Sequence, residues 1–193
     1  MALVRVPPTR LDVRVARGVA AHTDRTTESV AQFLTWGADE KVLLIAAAFG
    51  WLCCRRAGDS TRRLSDHMLA TNVIAALLPH VMKRLVDQER PDRRRFARNG
   101  RGIPRSGKRY DAFPSGHAVH VGALASAATL LPRRWRNWAW LIGGVLVATR
   151  VIMLAHWLSD VIAGLAIGAT IERGLRAMMR PPPCRCLPNR DGR

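Results

Sequence analysis

The chain has 193 residues, enough for one domain with a sizeable core, and its 31 Lys and Arg against 14 Asp and Glu leave a formal charge of +17. An apolar content of 48% with a mean hydropathy of −0.03 excludes neither a soluble nor a membrane protein, so the distribution of apolar residues has to decide. The four cysteines, Cys53, Cys54, Cys184 and Cys186, exclude a zinc finger or ribbon, because neither pair has the ligand spacing such sites use.

In chain order, residues 1–40 come first, with Leu11, Val15 and Val19, then Val30, Phe33 and Leu34, at helical spacing among arginines and acids. That pattern predicts an amphipathic helix lying along a membrane or bundle surface, with a disordered arm as the alternative. Residues 1–35 contain no continuous apolar stretch of the kind a cleavable signal peptide carries. Apolar blocks then follow at 42–54, 67–81, 117–131, 138–155 and 157–171, separated by arginine-dense segments. No internal repeat or second domain is visible. The expected organisation is an N-terminal interfacial segment over 1–40, a helical bundle over 41–175 and a disordered basic tail over 176–193.

Each block is shorter than the roughly 20 apolar residues a spanning helix usually needs. Against that, the blocks are apolar around most of the helix, rich in Ala and Gly, and edged by Trp36, Trp51, Trp135, Trp138, Trp140 and Trp157, where an interfacial belt would put them. The expected fold is therefore all-α, a compact transmembrane bundle of about five spanning helices plus the N-terminal amphipathic helix. The charge also fits a nucleic-acid binder, but the arginines are confined to the segments between apolar blocks and to the tail, without aromatic interleaving. Anionic head groups attract the same charges, so the bilayer, not nucleic acid, is the expected partner.

Three polar clusters interrupt this apolar background. Lys83 and Arg90 are two helical turns apart at the end of the second block, and Pro91 predicts that the helix stops near Arg90, presenting a guanidinium fork and a point charge to an anion. Pro114-Ser115-Gly116-His117 opens the third block. There Ser115 is a candidate N-cap, Gly116 permits close backbone approach to an anion, and His117 stands in the first turn as a candidate acid. Arg150, His156 and Asp160 form the last cluster, with His156 and Asp160 four residues apart on one predicted helix face as nucleophile and orienter. Charged residues embedded among Val, Ile, Met, Leu and Trp mark a functional cavity.

The spacings Lys83-x6-Arg90-Pro91, Pro114-Ser115-Gly116-His117 and Arg150-x5-His156-x3-Asp160 resemble, at all ten specified positions, the tripartite signature of the type-2 phosphatidic acid phosphatase superfamily. That superfamily includes membrane lipid phosphate phosphatases, soluble acid phosphatases and vanadium haloperoxidases. The resemblance covers about residues 40–175, and Thr149 stands where the pattern has serine. It implies a metal-independent phosphatase, without cofactor, in which His156 attacks phosphorus, Asp160 holds its ring and His117 protonates the leaving group. Lys83, Arg90, Ser115, Gly116 and Arg150 surround the phosphoryl oxygens in this reading. The implied substrate is a lipid phosphate or diphosphate, such as a polyprenyl phosphate or phosphatidate, in the cell inner membrane, with the site facing away from the cytoplasm.

Overall fold

The computed structural model describes residues 4–93, 108–130 and 133–179, and each apolar block contributes a helix there. The helices are α1 (Arg10–His22), α2 (Arg25–Thr35), α3 (Glu40–Cys53), α4 (Asp59–Leu85), α5 (Gly116–Ala127), α6 (Arg133–Ile152) and α7 (Leu158–Met179). Two short strands, β1 (Val4–Arg5) and β2 (Val86–Asp87), pair in parallel and tie the N-terminus to the chain leaving α4. Arg94, Arg95, Arg98, Arg101 and Arg105, the Cys184 and Cys186 pair and the tail from residue 180 lie outside the described residues.

The bundle centres on α5 and α7, which run side by side and parallel. Their backbones touch because glycine leaves room: a Cβ on Gly164 would come within 2.8 Å of the Ser115 carbonyl, and one on Gly168 or Gly122 would collide with the Val119 or Leu165 carbonyl. Helix α4 packs antiparallel to both. At the far end His67 Nε2 lies 3.1 Å from Glu172 Oε1, while Ser126 Oγ and Arg176 Nε donate to the same carboxylate at 2.6 and 2.7 Å. The buried acid is thereby satisfied, as burial requires. At the near end α3, α5 and α7 begin while α4 and α6 finish, so helix N-termini with their positive dipole ends gather around one mouth.

Two features differ from the sequence expectation. The N-terminal segment forms two helices instead of one, separated at Thr23–Asp24 because Asp24 caps a new helix by accepting the Thr27 amide at 2.7 Å. The inward face of α1 also differs: Leu11 is 56% exposed whereas Asp12 is 2% exposed. Asp12 is accommodated because its carboxylate accepts hydrogen bonds from Thr9 and from Ser159 on α7.

Among the described residues no helix is long and apolar enough to cross a membrane. With 14 and 12 residues, α3 and α5 reach only about 21 and 18 Å at 1.5 Å per residue. The longer α4, α6 and α7 carry charges towards their ends, in α6 Arg133, Arg134 and Arg136 at the start and Arg150 in the last turn. The outward surface is nevertheless apolar. Val42, Ile45, Phe49 and Leu52 form an exposed stripe on α3, Trp138, Ile142 and Val145 one on α6, and Phe33 of α2 is 79% exposed.

Candidate active site

Helix α6 stops through a Schellman arrangement that the sequence does not advertise. The Leu154 amide donates to the Val151 carbonyl at 2.9 Å, and the Ala155 amide to the Arg150 carbonyl at 3.0 Å. Leu154 takes a φ of 52°, the left-handed conformation that glycine usually supplies at this position. The chain then turns through 153–157 before α7 begins. His156 accordingly sits in a turn between two helices, not on a helix with Asp160 as the spacing predicted.

The turn fixes His156 in a definite tautomer. Its Nδ1 lies 2.6 Å from the Ala112 carbonyl, which can only accept, so Nδ1 carries the proton and Nε2 keeps its lone pair when the ring is neutral. Asp160 Oδ2 lies 3.9 Å from the same nitrogen and accepts the Trp157 amide at 2.9 Å instead. The ring is therefore oriented by a backbone carbonyl, and the carboxylate stands one step back. Burial holds the imidazole well below its ordinary pKa, reinforced by the charges of Arg90, Arg150 and Lys83.

The cations arrive from three elements. Lys83 lies in the last turn of α4, which ends at Leu85, so Arg90 projects from the loop beyond it and not from a common helix face. Arg90 is buried; its Nε donates to Asp111 Oδ1 at 2.6 Å and to the Lys108 carbonyl at 3.2 Å. Its Nη1 donates to the Ala155 carbonyl at 2.9 Å. One guanidinium thus joins the loop bearing Ala112 to the turn bearing His156. Burial raises the Asp111 carboxyl, but the Arg90 hydrogen bond and charge outweigh it and leave Asp111 below the usual carboxylate range. Arg150 lies in the last turn of α6, its Nη1 reaching Thr35 Oγ1 at 3.2 Å, and its Nε is buried without a hydrogen-bond partner.

Ser115 occupies the N-cap position of α5, as the sequence predicts, but its side chain makes no cap bond and Oγ is buried without a partner. Its amide donates to the Asp160 carbonyl at 3.4 Å, locking the starts of α5 and α7 together. Gly116 opens α5, and His117 in its first turn lies within electrostatic reach of Arg150 and Lys83. His156 feels the same two cations and Arg90. The eight expected residues thus gather at the mouth of the bundle around Lys83 and Arg150. Thr149 turns away, its hydroxyl bonding the Leu146 carbonyl of its own helix at 2.5 Å. Sequence reasoning missed Asp111 and Ala112. Asp111 had a signal, the one acid in the basic stretch 93–113, whereas the Ala112 role rests on a carbonyl and had none.

The family model of the PAP2 superfamily matches residues 67–181, more than half the chain and all three clusters. The chain belongs to the PAP2 superfamily. It is 39% identical over 108 residues to a lipid A 1-phosphatase of Rhizobium johnstonii, a segment that is 55% of this chain and 44% of the relative. It is 35% identical over 113 residues to an undecaprenyl-diphosphatase of Sulfolobus acidocaldarius, covering 58% of this chain and 53% of that one. The chain thus spans about half the length of these PAP2 relatives. The fold is similar to the transmembrane PAP2 type phosphatidylglycerolphosphate phosphatase from Bacillus subtilis, with a TM-score of 0.64 and 16% identity over 88% of this chain and 85% of that one. It is also similar to LpxE of Aquifex aeolicus, with a TM-score of 0.62 and 14% identity over 88% and 96% of the two chains.

Proposed function

We propose that the chain is a membrane-bound phosphatase of lipid phosphates or diphosphates, working through a phosphohistidine on His156. The observation that carries the reading is the His156 ring itself: Nδ1 is committed to the Ala112 carbonyl, which leaves the Nε2 lone pair as nucleophile in a field of three cations. Nε2 forms a bond to phosphorus, the bond from phosphorus to the ester or anhydride oxygen breaks, and His117 gives its proton to that oxygen. Water then attacks phosphorus and gives a proton back to His117 as the P–N bond breaks, and phosphate leaves with both histidines restored. Lys83, Arg150, the Ser115 hydroxyl and the Gly116 amide hold the phosphoryl oxygens, and Arg90 supports them from the loop. Asp160, 3.9 Å from Nδ1, favours the positive charge that develops on the ring as Nε2 is phosphorylated. The side-chain cations supply the charge stabilisation, so activity is expected to survive a chelator.

The exposed apolar stripes of α3 and α6 and the exposed Phe33 exceed what a water-facing surface favours and support bilayer contact. In this reading the bundle over 41–175 sits in the cell inner membrane with its site facing away from the cytoplasm, and 1–40 lies at the interface. A polyprenyl phosphate or diphosphate or phosphatidate is the first reading, supported by the 35% identity to an undecaprenyl-diphosphatase. A phosphorylated glycolipid is the second reading, favoured by the 39% identity to a lipid A 1-phosphatase.

The test is phosphate release by detergent-solubilised protein from a panel of lipid mono- and diphosphates, with chelator present. Wild type is expected to turn over, His156→Ala to lose essentially all activity, and His117→Ala to fall roughly 100- to 10,000-fold. Retained turnover in His156→Ala would sink the mechanism, and labelling of single-cysteine variants in intact cells decides the orientation.

A further inference from the structure

Helix α7 starts without a cap of its own. The residue before it is Trp157, whose carbonyl accepts the first helical bond from the Val161 amide at 3.2 Å but whose indole N–H only donates, here to the Glu89 carbonyl at 2.7 Å. Two carboxylates take over the cap between them. Asp160 in the first turn accepts the Trp157 amide at 2.9 Å, which is the return arm of a capping box. The forward arm, ordinarily the N-cap side chain on the N2 or N3 amide, comes from α1. Asp12 Oδ1 accepts the Ser159 amide at 2.9 Å and Oδ2 accepts the Ser159 hydroxyl at 2.8 Å.

The arrangement is a built one. Asp12 is 2% exposed, and Thr9 completes its shell with an amide at 2.9 Å and a hydroxyl at 2.8 Å on Oδ2. The apolar face of α1 continues the contact, with Val13, Ala16, Val19 and Ala20 packed on Ala112, Leu154 and Trp157. Leu154 and Trp157 flank His156 in the turn, and Ala112 is the residue whose carbonyl holds its ring. Helix α1 precedes the start of the family match at residue 67, so this contact is additional to the three motif clusters.

We infer that Asp12 is a positioning residue for the reaction: it caps α7 from a distant helix and so fixes the 153–157 turn that aims His156 Nε2 at phosphorus. The inference rests on His156 being the reacting group. Removing Asp12 loosens the turn without touching a phosphate contact, so it lowers kcat and leaves KM in place.

The experiment compares full-length wild type, Asp12→Ala and Asp12→Asn in detergent, reading phosphate release from the lipid phosphate that wild type turns over fastest, and amide hydrogen exchange by mass spectrometry. Asp12→Ala is expected to speed exchange across 153–162 about tenfold, the scale of a lost N-cap, with α3 and α4 unchanged. Its kcat is expected to fall about tenfold or more, as a misplaced nucleophile requires, with KM within about twofold. Asp12→Asn keeps an acceptor for the Ser159 amide and loses the charge that takes the hydroxyls, so it lies between. Unchanged exchange in 153–162, exchange raised evenly over all helices, or a kcat equal to wild type would overturn the inference. If Asp12→Ala does not fold, Asp12→Asn decides by the same criteria: a faster-exchanging 153–162 supports the cap, and identity with wild type in exchange and rate overturns it. A wild type without turnover, or an active His156→Ala, would instead overturn the reading of His156, and the exchange arm still decides whether Asp12 caps α7.

Discussion

At His156 a single carbonyl does what a carboxylate does in many histidine sites, and the consequence reaches Arg90. The Ala112 carbonyl is where it is because Arg90 grips the loop around it, donating to Asp111, to the Lys108 carbonyl and to the Ala155 carbonyl beside His156. Arg90 therefore has two available roles, contact with phosphate or alignment of the loop with the turn, and a pair of substitutions separates them. Lysine keeps the charge but cannot span an acid and a carbonyl at once. Under alignment, Arg90→Lys and Asp111→Asn both lower kcat by about 100-fold, the scale of a displaced reacting group, with similar KM. Under direct contact, Arg90→Lys raises KM and Asp111→Asn does little. The bonds now made by Arg90 predict the first pattern, and steady-state kinetics of the two variants checks it.

At the level of elements, the Schellman turn that ends α6 is what separates His156 from a helix face, and it has a testable energetic balance. Leu154 holds a left-handed φ, a conformation that costs an L-residue about 1–2 kcal/mol, yet its side chain is buried against Ala16, Ala112 and Trp157. Leu154→Gly relieves the first and forfeits the second, and losing a buried leucine side chain costs about 2–5 kcal/mol. Burial wins, so the variant is expected to unfold at lower temperature, by about 1–3 kcal/mol of stability; a raised melting temperature would show that strain dominates. The same residue explains what could be read in advance. The apolar blocks gave themselves away because helical burial leaves a periodic pattern in side chains, and the three clusters because motif spacing survives any local geometry. The 153–157 turn left no trace: Met153, Leu154, Ala155, His156 and Trp157 include neither glycine nor proline, so nothing interrupted the predicted helix. Arg90 was misplaced for a related reason, since Pro91 marks the latest end of α4 and not the actual one at Leu85.

Across the whole molecule, α1 and the loop before α5 are fastened to the bundle by acids in a strongly basic chain, and that ties its integrity to pH. Asp12 could not be read as buried from a pattern, because its partner Ser159 lies 147 residues away and periodicity sees only neighbours. Burial raises the Asp12 carboxyl, but hydrogen bonds from the Ser159 and Thr9 amides and hydroxyls outweigh it, leaving its pKa below the ordinary value. Asp111 is lowered as well, through Arg90. A carboxylate with a depressed folded pKa contributes stability that is fully present above its unfolded value of about 3.9 and is lost as pH falls through the folded value. Protonation at a pH below the ordinary carboxylate value therefore releases α1 from α7 and the loop from the turn, while neutralised carboxylates raise the positive charge of a chain already at +17 and with it the self-repulsion. Other carboxylates titrate over the same range, so the informative quantity is a difference. Melting temperatures of wild type and Asp12→Asn are expected to be well separated at pH 7 and to converge as pH falls below the ordinary carboxylate value, because protonated Asp12 and asparagine are both uncharged and each sets one carbonyl acceptor beside a donor group. A separation that persists once the carboxylates are protonated would mean that Asp12 acts through packing and not through its charge.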